Sequence, residues 1–192
     1  LLFMSLPEGG KISKQAEEFL AQSFGAKWEM VDLSAEGVAC LRSENSEVAA
    51  PGCRMVQEEL KFTTQDDVID QVSVQWITPQ HVKGREVILY IFGGAFVCGS
   101  PEDDLSMSGR LADWTGRRVC APRYRLAPEH PFPAATEDIS AVYRYLSNQS
   151  PVIVVGESAG GNLALNLTAP LALALLSPWV DLSKKEDTHV DP

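Results

Sequence analysis

The chain reads as an α/β fold, a mostly parallel central sheet with helices on both faces, and three observations predict it. Short apolar runs recur at Val87-Ile88-Leu89-Tyr90-Ile91 and Val152-Ile153-Val154-Val155, the pattern of strands buried on both faces, and a further strand is expected at Leu171 to Leu176. Helical stretches at Leu105 to Thr115 and Ala134 to Leu146 alternate with such runs, as parallel strands joined by crossovers require. Glycines stand directly after two of the runs, at Gly93-Gly94 and Gly156, where a strand must turn sharply. With 192 residues and 45% hydrophobic content the chain can bury one sizeable core, so one domain is expected. It divides into an N-terminal cap and loop segment (1–54) and the core (55–192).

Taken in order, residues 12–30 begin with an amphipathic helix, Ile12 through Phe24, with Ala16, Phe19 and Leu20 on one face. Residues 31–54 are polar and read as loop. Strands are expected at Val56 to Thr63 and Gln71 to Thr78, with Asp66-Asp67 and Asp70 marking the turn between them. The third strand is Glu86 to Ile91, the fourth Arg118 to Pro122, the fifth Val152 to Val155 and the sixth Leu171 to Leu176. Glu137 and Asp138 complement the positive end of the helix that starts near Ala134. After Gly156 a helix is expected over Asn162 to Leu167. A parallel crossover normally takes a dozen or more residues. The turn, helix and return between Gly156 and Leu171 have little more than that, and Leu146 to Pro151 looks clipped as well. This predicts skipped segments, with breaks within 147–151 and 166–171 and a C-terminal part missing after the sixth strand; a truncated or decayed gene product is the competing explanation.

The net charge of −10 and the isolation of the basic pairs Arg117-Arg118 and Lys184-Lys185 argue against nucleic acid. Cys40, Cys53, Cys98 and Cys120 lack C-x-x-C spacing, and Cys98 and Cys120 lie among apolar residues as buried free thiols do. No metal set is visible. Leu1-Leu2-Phe3-Met4 is too short for a signal-peptide core, and no run approaches membrane-spanning length, which points to a cytoplasmic protein.

The chemistry concentrates in Gly156-Glu157-Ser158-Ala159-Gly160, a G-x-S-x-G pentapeptide between a buried strand and a helix. A serine there sits on a turn so tight that both flanking positions must be glycine, and its hydroxyl is pushed outward. Ser158 is therefore a candidate nucleophile, against the plainer reading of a strand-to-helix loop. Phe92-Gly93-Gly94-Ala95-Phe96 follows the third strand. The amides of Gly93, Gly94 and Ala159 could together hold the oxyanion that attack by Ser158 on an ester carbonyl would create.

Three stretches, Phe92 to Phe96, Tyr124-Arg125-Leu126-Ala127-Pro128-Glu129-His130-Pro131-Phe132-Pro133-Ala134-Ala135 and Gly156 to Ala164, resemble the hormone-sensitive-lipase-like branch of the α/β-hydrolase esterases. The middle stretch matches a family signature at twelve consecutive positions. With Leu176-Ser177-Pro178-Trp179-Val180-Asp181-Leu182 the resemblance spans roughly residues 56–183. It implies an α/β-hydrolase fold with an N-terminal helical cap, no cofactor, small to medium ester substrates and room for a homodimer. The family usually has His and Gly at the first and fourth positions of the oxyanion loop. Phe92 and Ala95 stand there instead, so the loop lacks an imidazole that helps to hold it.

A serine needs a general base and a carboxylate to orient it, in the chain order Ser, acid, His for this fold. Only His189 follows Ser158, and its candidate partners Asp181, Glu186 and Asp187 all crowd the exit from the sixth strand, so it reads as a solvated loop residue. His130 belongs to the proline-rich signature and reads as structural; His81 reads as exposed. The triad Asp and His are thus absent from this chain. The expected function is a serine carboxylesterase acting through an acyl-enzyme on Ser158. The alternatives are a non-catalytic esterase-like receptor, as in plant hormone receptors of this architecture, or an amidase or lactonase using the same nucleophile. Trp179 either lines the pocket or simply packs.

Overall fold

The computed structural model describes residues 32 and 34–182. The helix expected at Ile12 to Phe24 lies outside them, as do Glu186, Asp187 and His189. The elements are α1 (Ala35–Glu59), β1 (Phe62–Ile69), β2 (Val72–Pro79), β3 (Val87–Ile91), α2 (Leu105–Thr115), β4 (Arg118–Pro122), α3 (Ala134–Ser147), β5 (Val152–Glu157), α4 (Ala159–Leu165) and β6 (Ala172–Leu176). One six-stranded sheet has the order β1-β2-β4-β3-β5-β6. β1 and β2 form an antiparallel hairpin, β2 joins β4 antiparallel, and β4, β3, β5 and β6 run parallel.

The uninterrupted apolar runs occupy the centre, where both faces are covered. All of β3 is buried, as are the residues of β4 after Arg118. The outer strands differ in kind. β1 carries Thr63, Thr64, Gln65, Asp66 and Asp67 and is almost wholly exposed, a charged edge of the sort that discourages pairing with another chain. β6 is apolar throughout yet half-exposed to exposed.

The polar stretch expected to be loop is the long helix α1. Ser34 caps it by accepting the Gly37 amide at 3.1 Å, Glu36 stands in its first turn, and the Leu60 amide closes it on the Val56 carbonyl at 2.9 Å. Its buried residues, Val38, Cys53 and Val56, are too sparse to make a visible stripe, and Pro51-Gly52 imitates a stop. Pro51 costs the helix one backbone hydrogen bond without ending it. The expected strand at Val56 to Thr63 is therefore the end of α1 followed by β1, and the proposed boundary at residue 54 falls inside the helix. The hairpin turn is at Asp70-Gln71, both with positive φ (48° and 69°), as a two-residue hairpin turn demands, whereas Asp66 and Asp67 lie within β1.

The remaining strands and helices fall within one or two residues of their expected limits, apart from the last helix. α4 starts directly on the Ser158 turn, at Ala159 rather than Asn162, and that early start shortens the crossover to β6. The breaks expected within 147–151 and 166–171 are instead hydrogen-bonded turns. Asn148 and Ser150 donate to Arg144 and Leu146 (3.2 and 2.9 Å), Leu167 donates to Ala164 (3.2 Å), and Leu171 reaches the Val152 carbonyl at 2.8 Å to begin β6 beside β5. Among the described residues no helix is long and apolar enough to cross a membrane, and no His, Cys, Asp and Glu side chains group as a metal site. The four cysteines are free, with Cys53, Cys98 and Cys120 buried.

Candidate active site

β3 and β5 are parallel neighbours with Ile91 opposite Gly156, so the segments leaving them emerge at the same edge of the sheet. The chain turns at Ser158, whose φ of 49° and ψ of −115° are unusual for a residue with a side chain, and α4 begins at the next residue. The turn closes because its glycines leave no side chain in the way. A Cβ on Gly160 would collide with the carbonyl oxygens of Ile91 and Phe92, so the start of α4 lies against the backbone that leaves β3. The Ser158 amide donates to the Leu176 carbonyl at 3.0 Å, and its carbonyl accepts the Trp179 amide at 2.9 Å. Asn162 returns a side-chain bond to the Trp179 carbonyl at 2.9 Å, so the exit from β6 is stitched to the elbow.

The glycine loop meets the serine directly. A Cβ at Gly93 would stand 3.1 Å from the Ser158 Cβ and 2.9 Å from a carboxylate oxygen of Glu157. Beyond it the chain folds into a turn in which the Gly94 carbonyl accepts the amides of Val97 and Cys98, each at 3.0 Å. Gly94 has φ of 109°, and the non-glycine residues Ala95 and Phe96 are also left-handed, at 54° and 65°. Among the described residues the amides of Gly94 and Ala159 donate to no acceptor. The Gly93 amide is shared with the Asp104 carboxyl.

Phe92 stands where the resembled family has histidine, and it is held by packing. Its ring stacks on Tyr124 (centroids 4.2 Å apart, planes 15° apart), and the Tyr124 hydroxyl donates to its carbonyl at 3.0 Å. The Phe96 ring lies 6.0 Å from that of Trp179, which is 44% exposed, so Trp179 both packs on the loop and shows a face to solvent.

An acidic cluster that the sequence does not announce lies behind the loop. Asp104, at the start of α2, accepts the Tyr90 hydroxyl at 3.0 Å. Burial pushes its carboxyl up to about 6, helped by the charge of Glu157 and opposed by the Tyr90 and Gly93 hydrogen bonds. Burial and the same carboxylate push the Tyr90 phenol far up, so it stays a donor. The only hint in the sequence is an Asp placed directly before an apolar helical run, which reads as a cap; its side chain makes no capping bond. Asp138 was expected to complement a helix dipole, but its side chain takes the amide and guanidinium of Arg125 at 2.8–3.0 Å.

No general base stands in the described part of this site. His81 lies in the connection entering β3, at the opposite end of that strand from Gly93, and is exposed as expected. His130 is exposed too; its backbone amide bonds Leu126 at 2.9 Å, and among the described residues its ring makes no hydrogen bond, so the structural bond expected of it is made by its backbone.

A family model described as alpha/beta hydrolase fold matches residues 88–191. An acetyl-hydrolase of Streptomyces hygroscopicus is 36% identical over 134 residues, covering 63% of this chain and 44% of that protein. An esterase of Acinetobacter venetianus is 38% identical over 111 residues, covering 51% of this chain and 37% of that protein. The chain thus spans less than half the length of these two relatives. Among solved structures, a crystallised esterase superposes with a TM-score of 0.80 at 25% identity, over 97% of this chain and 63% of that one. An esterase from the bacterial hormone-sensitive lipase family gives 0.57 at 29% identity, over 75% of this chain and 56% of that one.

Proposed function

Because the chain belongs to the alpha/beta hydrolase family, we propose that it carries the nucleophile half of a serine carboxylesterase acting on small to medium acyl esters. The observation that carries the reading is the backbone of Ser158, held at φ of 49° on the β5–α4 elbow with Gly93 against its side chain. A non-glycine residue in such a conformation costs of order 1–3 kcal/mol and persists where the surroundings enforce it, commonly at sites of chemistry. That strain gives a purely structural loop no advantage. The esterases and acetyl-hydrolase among the similar proteins support the same class.

In this mechanism the Ser158 Oγ attacks the acyl carbon, its proton passes to a base, and the carbonyl oxygen takes up the negative charge. The uncommitted amides of Gly94 and Ala159 receive that oxygen, with Gly93, shared with Asp104, as a third donor; one such donor is worth about 3 kcal/mol in the transition state. Collapse expels the alcohol and leaves an acyl-enzyme, which water then hydrolyses. The base and its orienting carboxylate come from outside the described residues. The half-exposed Trp179 and Phe96 form an apolar wall suited to the acyl or alcohol group. No cofactor enters this chemistry.

The test is covalent. The intact protein, in which this chain is joined by the base and its orienting carboxylate, should take up one fluorophosphonate equivalent at Ser158 and hydrolyse p-nitrophenyl butyrate, and Ser158→Ala should do neither while unfolding at an unchanged urea midpoint. Specific binding of an ester without labelling or turnover would favour the receptor reading instead.

A further inference from the structure

The oxyanion loop of this chain is strained at two positions. The successive residues Ala95 and Phe96 hold left-handed backbone that side chains disfavour, at 54° and 65°. A turn of this kind keeps its shape only if its surroundings over-determine it. Its outer side is bound by a residue of α1, well before the loop in sequence. Arg42, half-buried on α1, donates Nε to the Val97 carbonyl at 2.9 Å and Nη2 to the Ala127 carbonyl at 3.1 Å. The remaining guanidinium edge forms a two-pronged pair with Glu129, Nη1 to Oε1 at 2.9 Å and Nη2 to Oε2 at 2.8 Å. Between the two carbonyls the Ala127 amide donates to Phe96 at 2.8 Å, so the loop and the Tyr124–Ala135 segment are bonded to each other and jointly to Arg42.

The geometry points to Arg42 as a positioning residue for the oxyanion hole: its guanidinium, aligned by Glu129, fixes the turn Gly94–Cys98 and so the direction of the Gly94 amide. Only arginine suits the position. Its planar fork can serve a carboxylate and two carbonyls at once, whereas a lysine ammonium is a single point. Pairing with Arg42 also keeps the Glu129 carboxyl well below the usual carboxylate range, at about 2, so the clamp is charged throughout the working range of an esterase. Nothing along the sequence joins Arg42 to this loop, which begins some fifty residues later; the fold alone brings them together.

The effect on rate rests on the esterase reading; the effect on the loop does not, and one experiment separates them. Hydrogen exchange of the 93–98 amides is followed in wild type, Arg42→Gln and the milder Glu129→Gln, alongside p-nitrophenyl butyrate kinetics. Arg42→Gln is expected to speed exchange in that segment roughly tenfold while the β3 and β5 amides keep their protection. It is also expected to lower kcat roughly ten- to a hundredfold with KM nearly unchanged, since the lost contact matters mainly in the transition state. In Arg42→Ala, millimolar guanidinium should restore part of kcat, a rescue that a general loss of stability would not show. Unchanged exchange at 93–98 in both Arg42→Gln and Glu129→Gln overturns the inference whether or not the protein hydrolyses esters. Normal kcat in Arg42→Gln beside an active wild type overturns it as well. A wild type that neither labels nor turns over, yet shows the exchange difference, overturns the esterase reading alone.

Discussion

Replacing Asp104 by asparagine tests whether the acid behind the loop is held against its chemical preference. Folding moves this carboxyl from its ordinary 3.8 to about 6, chiefly because burial penalises the charged form and Glu157 adds a like charge. A carboxyl that holds its proton more tightly in the folded state stabilises the fold fully below about pH 4. That contribution is lost as the pH rises through about 6. A displacement of this size corresponds to about 3 kcal/mol, the penalty that the fold carries above neutrality. Asparagine has nearly the same shape, keeps an oxygen for the Tyr90 hydroxyl and cannot ionise. Asp104→Asn is therefore expected to match wild type near pH 4 and to exceed it by up to about 3 kcal/mol at pH 8, a rise of roughly 6–12 °C in Tm for a chain of this size. Urea titrations of both proteins at the two pH values supply the comparison, and the other carboxylates cancel in the difference. A stability difference that does not change with pH would refute the reasoning. It would leave Asp104 as an ordinary acceptor whose charge is well solvated.

Three further outcomes follow from the same geometry. Ser158→Ala is expected to remove turnover and labelling but should change the unfolding free energy by no more than about 0.5 kcal/mol, because the hydroxyl contributes no core packing. Gly160→Ala should destabilise by about 3 kcal/mol or prevent soluble expression, since its Cβ would meet two carbonyl oxygens of the backbone leaving β3, which has no room to retreat; a stable, active variant would show that α4 can slide. Ala95→Gly relieves a left-handed residue at 54° and should stabilise by about 0.5–1 kcal/mol, read from thermal unfolding; a loss of that size would mean that the Ala95 side chain packs usefully.

The parts of the fold legible in the sequence were those where burial is two-sided. Val87 to Ile91 and Val152 to Val155 could only be central strands, and their parallel pairing carries Gly93 to Ser158 without further information. α1 was illegible because a helix that buries little beyond Val38, Cys53 and Val56 leaves a weak periodic trace, and Pro51-Gly52 imitates a stop. The crossover from β5 looked too short because the helix was placed three residues late. A serine with positive φ lets α4 begin at once, and that economy belongs to backbone geometry rather than composition. The residues that steady the site, Arg42 and Asp104, were missed for a related reason. Arg42 acts on the Val97 and Ala127 carbonyls, and a contact to a backbone atom leaves no signature in the partner's residue type, whereas Asp104 takes the Tyr90 hydroxyl beneath the loop, a burial that its place before a helix does not announce.

The stitch between Trp179 and Ser158 sets a practical boundary for anyone dividing or fusing this chain. The carbonyl of Ser158 accepts an amide that lies beyond β6 at 2.9 Å as well as the Asn162 amide of α4 at 3.3 Å, and the Asn162 side chain answers with a bond to the carbonyl of the same tryptophan. A fragment cut before Pro178 would keep every described strand and the complete pentapeptide, yet release Ser158 from the shorter of the two bonds that hold its peptide plane. An insertion or tag placed between β6 and Val180 would pull on the serine itself. The permissible joint is the exposed hairpin turn Asp70-Gln71, on the other side of the sheet, where the chain can be opened without tension reaching the elbow.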